Sequence, residues 1–197
     1  MVKQKFFILF ISIISVAMNA QSQKPVDLLN VPGPIVFDNQ VYSLSWSSHP
    51  AANFYKQEYI VKGDNPDHFK TMVLTDVVTG ESDIKKVVGA KMNELKQMKA
   101  SNPMVNYEVI SNAKTGEYIL DFLVSANNAD GSMSVVERNV YRYKIFTDKA
   151  GKKGIQLFGV STRSYGPAID KFMIALKANR KDLISKVSLF KIPDIKI

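Results

Sequence analysis

The chain has 197 residues, 46% of them hydrophobic and 22% charged, enough for one domain with a real core and too apolar for a disordered chain. It contains no cysteine, which excludes disulfides, cysteine-zinc sites and thiol catalysis. The net charge of +8 is spread along the sequence instead of gathered into a stripe, so it describes a mildly basic surface and no nucleic-acid partner is expected.

Residues 1–20 read MVKQKFFILFISIISVAMNA. Lys3 and Lys5 precede an apolar run at 6–17, the pattern of a signal peptide cleaved after Ala20. As a helix that run spans about 18 Å at 1.5 Å per residue, well short of the roughly 30 Å hydrocarbon core, so no transmembrane anchor is expected. An exported chain without disulfides fits a bacterial envelope, either periplasmic or secreted.

Residues 21–34 carry Pro25, Pro32 and Pro34 with little periodicity and read as an extended lead-in. A short strand is expected at 35–38. In 41–47, Tyr42, Leu44 and Trp46 alternate with serines as a half-buried strand whose tryptophan points inward. His49 and Pro50 are expected to interrupt before a strand at 54–61, and 69–78 follows as a strand apolar on both faces. Ser82 is expected to cap a helix whose apolar stripe is Ile84, Val87, Val88, Met92, Leu95 and Met98, with Lys85, Lys86, Glu94, Lys96 and Lys99 mostly outward. Three strands joined by turns at 112–116 and 127–131 fill 105–146. Tyr118, Leu120, Phe122 and Val124 share one face of the central run, while Asp121 takes the other. A hairpin loop at 147–154 leads to a strand at 155–164. A second helix begins near Pro167, with Ile169, Phe172, Met173 and Leu176 on its apolar face and an interruption at Asn179.

The element order is three or four strands, a helix, four strands and a helix, or β-β-β-α-β-β-β-β-α when the short first strand is left out. The expected fold class is therefore α+β: a mostly antiparallel sheet of about seven strands covered by two amphipathic helices. Residues 35–197 form a single domain in this reading. The stretches YSLSWSS (42–48), the helix at 82–100, NVYRYKIF (139–146) and the helix at 167–178 together resemble the PsbP/Mog1-like α/β-sandwich. That resemblance is one of topology and implies a binding or assembly accessory. It carries over no site residue.

Catalytic signatures are scarce. His49 and His68, the only histidines, lie in loops without HExxH spacing, so no metal site is expected. Ser161 follows Gly159-Val160, but Arg163 stands where G-x-S-x-G needs its closing glycine. There is neither a Walker lysine nor GxGxxG, and no cofactor is expected. Carboxylates such as Glu58, Asp121 and Glu137 could still do acid–base work.

Two stretches attract attention. In VERNVYRYK (136–144), alternation puts Glu137, Asn139 and Tyr141 on one face, where polar groups interrupt a core-like row and must find partners. In WSSHPAANFYKQEY (46–59), aromatics surround a polar loop that presents His49 and Tyr55. With Arg163, these are the candidate ligand-binding residues; no catalytic residue is assigned. The leading expectation is an exported soluble binding or accessory protein without catalytic activity, whose partner is an envelope protein or small ligand. The alternative is a carboxylate/tyrosine-based hydrolase or lyase around Glu137, with Asn139 converging on Tyr55 or Arg163. A third reading is peripheral attachment to an anionic membrane surface.

Overall fold

A computed structural model of the chain describes residues 25–81 and 83–197. The stretch read as a signal peptide, 1–20, therefore lies outside the described residues, as does Ser82. Alternating apolar and polar side chains build eight strands: β1 (Ile35–Phe37), β2 (Gln40–Ala51), β3 (Phe54–Val61), β4 (Thr71–Thr79), β5 (Asn106–Ser111), β6 (Tyr118–Asn127), β7 (Met133–Thr147) and β8 (Lys153–Tyr165). The helices are α1 (Ile84–Ser101) and α2 (Ile169–Leu189). All strands join one antiparallel sheet in the order β1-β2-β3-β4-β8-β7-β6-β5. Two meanders, each in sequence order, thus meet where β4 lies against β8. The α+β expectation stands, with one strand more than the seven anticipated.

The two helices cover opposite faces. On the α1 face, Ile84, Val87, Val88 and Leu95 pack on Leu74, Leu120, Phe122, Tyr143 and Leu157. Asp83 caps α1, its carboxylate accepting from the Lys85 and Lys86 N–H groups, one position after the serine expected there. On the α2 face, Val187 and Ile192 join Tyr59, Val77, Val140, Phe158 and Val160. The lead-in belongs to this second core: Leu29 and Val31 are buried in it, and the Lys196 N–H donates to the Leu29 carbonyl at 2.9 Å. Gln57, fully buried, secures that segment by accepting from the Leu28 and Leu29 N–H groups.

Only Ile169 and Val187 of α2 are buried, and its backbone breaks at Asn179 (φ −124°, ψ 28°). The helix is fixed largely by arginines of β7. Arg138 donates to the Arg180 carbonyl at 2.6 Å, and Arg142 donates to the Val187 and Phe190 carbonyls at 3.2 and 2.9 Å. These bonds satisfy carbonyls that a helix end or a helix break leaves open.

Two expectations on β2 need correction. The strand runs through His49 and Pro50 to Ala51; β1 pairs it only as far as Tyr42, so Pro50 lies where no outer neighbour needs its missing N–H. The register also slips between Leu44, opposite Tyr59, and Trp46, opposite Glu58. That bulge moves Trp46 to the α1 face. It is 42% exposed, not buried.

Candidate functional site

Four of the six candidate residues come together on the α1 face. Glu137, Asn139 and Tyr141 alternate along β7, and the β7–β8 register sets Glu137 opposite Arg163, Asn139 opposite Ser161 and Tyr141 opposite Gly159. Arg163 Nε donates to Glu137 Oε2 in a close ion pair. Asn139 Nδ2 donates to Glu137 Oε1 at 2.9 Å, and Ser161 Oγ donates to Asn139 Oδ1 at 2.5 Å. Asn139 is fully buried and Ser161 nearly so, so this hydrogen-bonded row meets the requirement that buried polar groups be paired. The Arg163 guanidinium also lies 4.1 Å from the Phe69 ring centre, over its face, in a cation–π contact. His68 stacks on Tyr165 at 3.8 Å between ring centres, placing the 62–70 loop along this end of the row.

The β4–β8 and β3–β4 registers extend the row towards β2. Leu74 faces Gly159 on one side and Glu58 on the other, and Asp76 faces Leu157 and Lys56. Gly159 leaves the room in which Tyr141 and Leu74 approach; a Cβ there would meet Tyr141 Cδ1 at 2.7 Å and Leu74 Cγ at 2.9 Å. From above, α1 contributes Lys91, which is buried, hydrogen-bonds to Glu94 at 2.8 Å and lies 5.3 Å from the Phe122 ring centre.

Burial dominates the electrostatics. It pushes the half-buried Glu58 carboxyl up to about 7, the Asp76 and Glu137 charges adding to the rise and Lys56 opposing it. Burial likewise raises Asp76, against Lys56 and Lys91. Asp76 Oδ2 has Lys56 at 3.8 Å, but its Oδ1 has no hydrogen-bond partner. The Tyr141 phenol is raised well above its ordinary value by burial, then by Glu137 and Asp76. Burial lowers the Lys91 ammonium, and Glu94 opposes that shift.

Glu58 yields a measurable consequence. Its folded pKa exceeds its unfolded one, so between about pH 4.5 and 7 the folded state holds the extra proton and stability falls as pH rises. Solvent screening of this partly exposed group limits the effect to roughly 1–2 kcal/mol. Glu58→Gln is therefore expected to stabilise the protein by that amount at pH 8 and to leave it unchanged at pH 4. Urea melts at the two pH values would show this, and an equal effect at both would refute it.

The other two candidates do not join. Tyr55 packs against the core of the α2 face, and His49 stacks on it at 4.1 Å. The sheet separates both from Glu137, which corrects the expected convergence of Tyr55 with that residue. Asp121 also faces α2, in a buried ion pair with Arg138. Three residues of the site escaped sequence reading: Asp76, Lys91 and Trp46 in its exposed position. Lys91 stands among outward lysines in the sequence, and the bulge that turns Trp46 leaves no local mark. Among the described residues, no group of three His, Asp or Glu side chains could hold a metal ion. No helix among them is long and apolar enough to cross a membrane.

An antiparallel sheet with one helix on each face and a polar row across its centre defines the class of protein. A family model matches residues 29–192, and the chain belongs to that family. No curated protein and no solved structure matches it. The PsbP/Mog1-like resemblance accordingly rests on element order alone.

Proposed function

We propose that the protein is an exported binding or accessory protein, without catalytic activity, that takes a small ligand on the α1 face between Trp46, Glu58 and the Glu137–Arg163 pair. One observation carries this reading. An exposed aromatic lies directly opposite a half-buried carboxyl, at the margin of a polar floor whose inner members are already bonded to one another. A rigid floor with an aromatic at its rim suits recognition. It suits proton transfer less, because Arg163 and Asn139 occupy Glu137 and the Ser161 hydroxyl is spent on Asn139. The signal-peptide pattern and the topology-level resemblance point the same way.

Trp46 is the only tryptophan, so its emission reports on this face alone. The test is a thermal-shift screen of metals, nucleotides, sugars, lipids and peptides, read together with tryptophan fluorescence. A ligand at a hundredfold its dissociation constant adds about 2.7 kcal/mol, a rise of roughly 5–10 °C for a domain of this size. The proposal expects that rise together with a change in Trp46 emission, both weakened in Glu58→Gln. A stabilising ligand that leaves Trp46 unaltered would place the site elsewhere.

A second reading, the carboxylate-based hydrolase or lyase, has one observation in its favour. Glu58, at about 7, shares a face with Glu137, which Arg163 accompanies. Different environments for two carboxyls are what acid–base chemistry requires. Turnover of an ester or glycoside that is abolished by both Glu58→Gln and Glu137→Gln would favour it over binding alone.

A further inference from the structure

The sheet ends at β5, and among the described residues nothing pairs with its outer edge. An open edge strand presents unpaired N–H and C=O groups, and proteins usually blunt it with lysine, proline, a bulge or shortness. At the opposite edge β1 uses shortness, with three residues. β5 has six residues, NYEVIS, without lysine, proline or any register slip against β6. Its one charge, Glu108, is drawn to Arg180 of α2 at 3.0 Å. Ile110 is 37% exposed.

Beside this edge runs a groove between β5 and α2. One part, about 420 Å³, is floored by Asn106 and by Asp121, Phe122 and Leu123 of β6 beneath Met173, Ile174 and Leu176 of α2; the next, about 640 Å³, lies at the edge strand itself, between Glu108 and Ile110 on one side and Lys181, Ile184 and Ser185 on the other. Lys177 and Arg180 line both parts, so residue numbers climb in step along the two walls. From Met173 to Ser185 the helix rises about 18 Å, and a six-residue strand covers about 20 Å. The walls are therefore matched in length. Ile174 is 72% exposed, which leaves apolar surface open at one end. Arg180 is engaged by Asp121 and Glu108, and Asp182 by Lys186. Lys177 and Lys181 take part in none of the ion pairs among the described residues, so the rim keeps a positive excess.

We propose that an extended segment of a partner protein, carrying apolar and acidic side chains together at alternate positions (i, i+2, i+4) and so on its α2-side face, adds to the outer edge of β5 as a further strand. Main-chain hydrogen bonds to β5 would supply affinity in this mode of recognition, and alternate side chains meeting the groove would supply specificity. On that face an apolar residue of the segment lies beside Ile110. Its acidic residues meet Lys177 and Lys181. This surface is on the α2 side and does not depend on the ligand site around Glu58.

The test uses the whole protein with two short capped peptides in which every second residue is threonine and the positions between are valine and glutamate in one peptide, valine and lysine in the other. The glutamate peptide is expected to slow amide exchange across β5 and to bind about tenfold more tightly than the lysine peptide, the contribution of two exposed charge pairs. The Lys177→Glu/Lys181→Glu double variant, which alters only exposed side chains, should reverse that order. Trp46 emission should stay constant in every arm. Equal binding of the two peptides, or no protection of β5, would overturn the proposal. So would a dimer that dissociates on Ile110→Asp, since it would assign the edge to a second copy of the chain.

Discussion

Arg138→Ala is expected to cost the fold about 3–5 kcal/mol, a fall in melting temperature of roughly 10 °C or more. Asp121 is 2% exposed and accepts from Arg138 Nε at 2.9 Å and from Nη2 at 3.4 Å. Without the guanidinium, the buried carboxylate keeps only Arg180, whose Nε donates at 2.7 Å from a side chain 44% exposed. The Arg180 carbonyl loses its donor as well, so α2 loosens at its break. The asymmetry between breaking a buried pair and replacing it gives the control. Asp121→Leu combined with Arg138→Met should recover most of the loss, because no uncompensated charge then stays in the interior. Urea denaturation of both variants measures this. A single variant within about 1 kcal/mol of the parent would mean that solvent reaches Asp121 and that the pair behaves like a surface one.

Gly154→Ala should be comparably damaging, at about 3 kcal/mol or more, and for steric reasons alone. A Cβ at this position would run into the Val78 carbonyl of β4 and meet Phe146 Cε1 at 2.7 Å. The phenyl ring can turn aside. The carbonyl belongs to a central strand and cannot move without disturbing the seam between β4 and β8. Gly159 is the informative comparison, since the atoms closest to its absent Cβ belong to the Tyr141 and Leu74 side chains, which can adjust. Thermal melts of the two alanine variants should rank Gly154→Ala as the more destabilised. The Gly159 variant should instead show its effect in the Trp46-reported ligand response, because it shifts the floor of the candidate site.

Much of the architecture was legible because it is local. Alternation identified the strands, put Glu137, Asn139 and Tyr141 on one face of theirs, and set Asp121 opposite Tyr118, Leu120, Phe122 and Val124 in another. Gly116 (φ 70°) and Gly131 (φ 84°) close the anticipated turns, using backbone conformations that other residues adopt at a cost. Asn179 interrupts α2 where the apolar pattern falters. The site was only half legible because its other half is a matter of register. Glu58 and Asp76 reach Glu137 through the pairing of β4 with β8, between segments some eighty positions apart, and no local pattern specifies that neighbour. The bulge between Leu44 and Trp46 is a second case: strict alternation points the tryptophan inward, and one extra residue reverses it. Lys91 is a third, since a lysine on a stripe edge is ordinarily solvated, and here the Glu94 carboxylate and the Phe122 ring help to make its burial tolerable.

The hydrogen bond from Lys196 to Leu29 bears on the order of folding. It joins the two ends of the domain, and the core beneath it takes Leu29 and Val31 from one end and Ile192 and Ile195 from the other. These segments stand at opposite ends of the described residues, so the α2-side core closes only after the longest loop in the fold has been closed. The meander β5–β8, whose strands are all sequence neighbours, has no such delay, and short loop closures favour its early formation. A folding chain thus passes through a stage in which β1–β3 lack a complete core to lie on. A truncation of the last few residues should leave the protein able to form one half of its sheet and slow to complete the other.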